Sequence, residues 1–120
     1  MKTLFTALLT LFVNLCINSQ EVKEVSRSWT SFAQSVEVAT EGTKKFKVIA
    51  SVKAEILDDN AWAGVWARVD NKPEQGRGFF DNMGNRPIKS KEWNTYVVQG
   101  VIDAKSEKLV FGGICSNNGK

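Results

Sequence analysis

Between Phe46 and Ile56 an apolar residue recurs at every second position: Phe46, Val48, Ala50, Val52, Ala54 and Ile56, with Lys47, Ser51, Lys53 and Glu55 between them. Side chains alternate across a strand, so this spacing sends one row to a core and the other to water. On a helix the same residues would be scattered around the whole circumference. The period commits this part of the chain to a half-buried β-strand.

A second segment, AWAGVWARVD from Ala61 to Asp70, carries the same period with a different chemistry. Ala61, Ala63, Val65, Ala67 and Val69 share one face, small and apolar enough to pack a core. The opposite face carries Trp62, Trp66, Arg68 and Asp70. Two indoles, a guanidinium and a carboxylate are the groups that hold a polar ligand with flat apolar sides, and a sugar is such a ligand.

The remaining segments read as strands joined by turns. Phe32 to Ala39 alternates loosely and ends at the turn Glu41-Gly42-Thr43. Asp58-Asp59-Asn60 and the loop Asn71 to Gly76 bracket the two-faced segment. Arg77 to Asn82 reads as a short strand, Met83 to Pro87 as a turn, Trp93 to Ile102 as a long strand, and Leu109 to Cys115 as another. Gly112-Gly113 within the last predicts a bulge or a close backbone approach. Regular short strands without an amphipathic helix predict an all-β fold, an antiparallel β-sandwich.

Residues 1–20 have the layout of a secretory signal peptide. Met1-Lys2 is a positive start, Leu4 to Ile17 an apolar run broken only by Thr6, Thr10 and Asn14, and Asn18-Ser19-Gln20 a small polar end. About 14 residues are too few to span a bilayer, so a membrane anchor is disfavoured. Cys16 follows Leu15, where a lipoprotein signal needs a small residue. A secreted or periplasmic chain of residues 21–120 is therefore expected, large enough for one domain.

That region holds 15 basic and 13 acidic residues, a net charge of +2, too weak to indicate nucleic acid. Cys115 is its only cysteine, so an internal disulfide is excluded and the fold must rest on its core. The chain has no histidine to activate a thiol or hydroxyl, no GxSxG and no paired-carboxylate motif. Catalysis is not expected. A structural calcium ion is the one metal candidate, and no ligand spacing of known type accompanies it.

Trp66 and Arg68, two apart on one face, stand about 7 Å from each other, a spacing that suits one sugar ring. If the next strand pairs back across the Asn71 to Gly76 loop, it adds either Phe79 with Asp81 or Phe80 with Asn82, and brings Asp81 or Asn82 near Arg68. The candidate ligand-binding set is Trp66, Arg68, Asp70, Asp81, Asn82 and Arg86. Plainer roles compete: Trp62 and Trp93 as caps on the core, Arg68 in an ion pair with Asp70 or Asp81, and Asn82 to Pro87 as a well-specified turn.

The segments AWAGVWARVD, FFDNMGNRPI and EWNTY, followed by Phe111-Gly112 and Asn118-Gly119, resemble a jelly-roll domain akin to carbohydrate-binding modules. Such domains are found in bacterial proteins, appended to AraC-type regulators and to exported hydrolases. The pattern reads WAGxWxRVD, then FDNMxxRPI, then WxxY, and spans roughly residues 29 to 120. It implies a non-catalytic module for carbohydrate or a similar polar ligand, or else a structural domain packed against a neighbour in a longer protein. An exported chain is not itself a DNA-binding regulator, so that association does not carry over. The family continues past the final turn into a strand with Trp or Phe and Asp, which this chain lacks, so a sandwich truncated at its C-terminal end is expected.

Overall fold

The computed structural model describes residues 29–116. The expected leader and the Asn117 to Lys120 turn lie outside them. Six strands form two antiparallel sheets: β1 (Trp29–Glu37), β2 (Lys44–Val52), β3 (Trp62–Asn71), β4 (Phe80–Asp81), β5 (Asn94–Ile102) and β6 (Ser106–Ser116). The first sheet runs β1-β6-β3-β4 and the second β2-β5. They pack face to face as a β-sandwich, with β5 lying against β3.

β3 obeys its alternation. Ala63, Val65, Ala67 and Val69 are buried, and with Leu109 of β6 they meet Val98 of β5. Two alanines on this face, Ala63 and Ala67, leave room for the larger residues of the other layer, Phe46, Val48, Tyr96 and Ile102. Ile88 and Val98 are the largest fully buried side chains. Each contributes about 1.5–3 kcal/mol by leaving water.

β3 is also bonded along both edges. β6 pairs with its whole length, from Trp62↔Ser116 to Asn71↔Ser106, with an irregularity between Asp70 and Asn71. On the other edge β4 pairs at Ala67↔Asp81 and Arg68↔Phe80, and Ile88 N–H donates to the Ala63 carbonyl at 2.8 Å. The strand expected over Arg77 to Asn82 shortens to two residues. Gly78 sits where a Cβ would strike the Val69 carbonyl oxygen, so the chain approaches β3 as bare backbone before pairing.

Gly112-Gly113 makes a close approach and no bulge, since the β1–β6 register runs unbroken past it. A Cβ on Gly112 would fall on the Phe32 carbonyl oxygen, and one on Gly113 would meet the Phe32 ring at 2.8 Å. Trp93, read as a core cap, is instead 51% exposed, because it precedes β5 on the side facing away from the core. Lys53 Nζ lies 5.2 Å from its ring centroid.

Gly112→Ala is expected to cost about 1–3 kcal/mol or more through forced displacement of β1. Gly42→Ala, where a Cβ meets nothing within 4 Å, is the control and is expected to leave the urea midpoint near that of the parent.

Candidate functional site

On the outer face of the first sheet, β3 presents Trp62, Trp66, Arg68 and Asp70 away from the core. The Trp66 indole is half-buried, and its Nε1–H donates to the Gly113 carbonyl at 3.2 Å. Gly112 lies directly across from Trp66 and carries no side chain to stand between the indole and β6. One polar atom of the ring is thus fixed and the ring orientation with it.

Arg68 is exposed and bound in a fork by its neighbour two residues on. Its Nε donates to Asp70 Oδ1 at 2.6 Å and its Nη2 to Asp70 Oδ2 at 3.1 Å. That hydrogen bond, with the charge of Asp70, holds the guanidinium pKa above its ordinary value against the opposing effect of desolvation. Arg68 Cζ is also 6.0 Å from the Trp66 ring centroid, within cation–π range. Of the two ion-pair partners weighed for Arg68, the structure selects Asp70.

Asp81 lies opposite Ala67 and turns to Arg86. Arg86 Nη1 donates to Asp81 Oδ1 at 3.1 Å and Nη2 to Oδ2 at 2.5 Å. The same carboxylate accepts the Met83 amide at 2.8 Å, and Asn82 Oδ1 accepts the Gly84 amide at 3.0 Å. Two successive side chains therefore cap the backbone of the turn, the local bonding that favours Asp and Asn at such positions. The Arg86 hydrogen bond, chiefly, holds the Asp81 carboxyl below its usual range despite some desolvation.

Met83 adopts φ +61°, a conformation rare for a long side chain, yet it is only 3% exposed. Its sulfur accepts the Val65 amide at 3.4 Å. Burial against β3 therefore offsets the backbone cost, and the turn is tied to the same strand that carries Trp66. Close contact is allowed at Gly64, where a Cβ would come within 2.5 Å of the Asn82 carbonyl oxygen.

Of the two residue pairs expected from the next strand, only Phe80 comes to lie opposite Arg68, while Asp81 turns to Arg86 and Asn82 caps the turn. Phe79 turns inward, edge-on to Phe46 at 5.3 Å between ring centroids, while Phe80 faces out opposite Arg68 and is 61% exposed. Phe80 is the residue that sequence reasoning left as one of two alternatives. Only its pairing partner on β3 distinguishes it from Phe79.

The six candidates thus fall into two groups: Trp66, Arg68 and Asp70 on the sheet, and Asp81, Asn82 and Arg86 in the turn. Phe80 joins them. It faces Arg68 and also lines an open depression of about 420 Å³ with Phe79, Asp81, Asn82, Asn85 and Arg86. A larger groove, of about 770 Å³, opens between the two sheets and is lined by none of the six. Among the described residues no group of three His, Cys, Asp or Glu side chains could hold a metal ion. No protein-family model, curated protein or solved structure matches the chain.

The Asp81–Arg86 pair sets a pH dependence. Asp81 has a depressed pKa in the folded chain, so its contribution is fully present above the usual carboxylate range and is lost as pH falls through the folded value. Arg86→Met is expected to lower the denaturation midpoint at neutral pH, with a gap to the parent that closes as pH falls. A gap that persists unchanged into acid would assign the loss to packing of the Arg86 stem.

Proposed function

We propose that the protein is an exported, non-catalytic binding module for carbohydrate or a similar polar ligand carrying hydroxyl groups. The ligand lies on the outer face of the first sheet. The observation that carries this reading is the outer-face set of the half-buried Trp66 and the exposed Arg68 and Phe80, with the Trp66 ring held by its bond to Gly113. A pyranose offers C–H faces to aromatic rings and hydroxyls to charged side chains. Trp66 and Phe80 supply the first contact. Arg68 and Asp70, and beyond Phe80 the turn side chains Asn82, Asn85 and Arg86, supply the second.

Both carboxylates of the site are paired with arginines, Asp70 with Arg68 and Asp81 with Arg86. A carboxylate held in an ion pair still accepts hydrogen bonds from ligand hydroxyls through its remaining lone pairs. The donors and acceptors are already oriented by each other. Little side-chain freedom remains to be lost on binding.

The second reading places the same face against a neighbouring domain of a longer protein, and the exposure of Phe80 favours it. Saccharides separate the two. In the first, titration quenches tryptophan fluorescence, Trp66→Ala removes the response, and Phe80→Ala weakens affinity about three- to tenfold without moving the unfolding midpoint. A broad glycan array and a thermal-shift screen that both stay silent on folded protein would reject the carbohydrate reading.

A further inference from the structure

The second sheet is narrower than the first. Among the described residues β2 and β5 face a sheet with three long strands and leave the core-facing side of β1 open: Phe32 is 40% and Val36 46% exposed. The 770 Å³ groove occupies this space. Its wall includes every residue of β2 from Val48 to Val52 and continues to Ala54. Among the described residues β5 is the one strand partner of β2, so every second residue of β2 turns its backbone N–H and C=O toward the groove.

We propose that this groove accepts an extended segment of a partner protein as a third strand beside β2, its inward side chains apolar and its outward side chains acidic. Strands in a sheet lie about 4.8 Å apart and packed sheets about 10 Å, so a strand added there covers the open side of β1. Its inward row meets Val48, Ala50 and Val52 on one side and the Phe32 ring below. Its outward row runs beside Ile49, Ser51 and Lys53 along the groove, and past the end of the groove beside the exposed Lys45 and Lys47. Their cross-strand partners, Val101 and Gln99, provide no countercharge.

The charge pattern selects the occupant. Lys44 to Ala54 carries four lysines, Lys44, Lys45, Lys47 and Lys53, with Glu55 its first carboxylate neighbour beyond that span. A second copy offering its own β2 would set lysines beside lysines along that edge, of which Lys53 lines the groove itself, the device by which edge strands avoid their own kind. An acidic strand meets no such penalty.

The test uses the full chain and a labelled nine-residue peptide alternating Val and Glu, matched to the nine residues of β2. Fluorescence polarisation is expected to report binding. The peptide is expected to slow alkylation of Cys115, which lines the groove and is scored by mass apart from Cys16, about tenfold at ten times its Kd. N-methylation of alternate amides along one peptide edge is expected to abolish binding, and along the other to be tolerated. Lys45→Glu with Lys47→Glu is expected to weaken it about tenfold or more at an unchanged unfolding midpoint. No binding, equal binding of a Val–Lys peptide, equal effect of methylation on both edges, or unaltered Cys115 alkylation would each overturn the proposal. So would a dimer in light scattering that excludes the peptide. Saccharide binding on the opposite face of the sheet is read separately and bears on neither result.

Discussion

β3 is the strand on which the rest of the structure depends, because it is held on both edges and one face while its other face stays free. β6 pairs along its full length, and β4, the Met83 sulfur and Ile88 engage the opposite edge. Its alanine-rich face admits the β2–β5 layer. Each contact leaves the side bearing Trp66, Arg68 and Asp70 outside the core, so that side can be polar and aromatic at little cost to the core. The two faces of one strand thereby divide the work of stability and recognition.

The turn after β4 shows the same coupling at finer scale. Met83 anchors the turn in the core, and Asp81 and Asn82 cap its backbone. Arg86 then closes on Asp81. A polar cluster beside Phe80 is in this way fixed by a buried sulfur and a short set of hydrogen bonds, without a metal or a disulfide among the described residues. Cys115 has no part in it: burial pushes its thiol pKa up, away from reactive thiolate.

Local period made much of this legible. The faces of β2 and β3 follow from alternation alone, and so does the company of Trp66, Arg68 and Asp70. What could not be read depends on distant pairing. Adjacent Phe79 and Phe80 look alike until β3 assigns one to each side. Arg68 had two candidate carboxylates in the sequence, and the neighbour on the same strand face, Asp70, took it, leaving Asp81 to Arg86. Trp93 looked like a core cap because it is an indole at a strand start, yet its parity places it outside. The open side of β1 was invisible in the sequence, since Phe32 and Val36 have a respectable strand pattern and only the width of the opposing sheet leaves them uncovered.

The division of labour along β3 makes one demand of the free protein. If β3 is the element that the other strands lean on, its amides from Val65 to Val69 should open only when the whole chain unfolds, whereas those of β1, bonded on one edge and open on its inner side, should exchange at lower free energy. Native-state hydrogen exchange resolved by residue measures this directly. The expected result is protection of β3 that tracks the global unfolding free energy as denaturant is added, with β1 released earlier. Exchange of β3 together with β1, while β2 and β5 stay protected, would contradict the account and move the foundation of the fold to the smaller sheet.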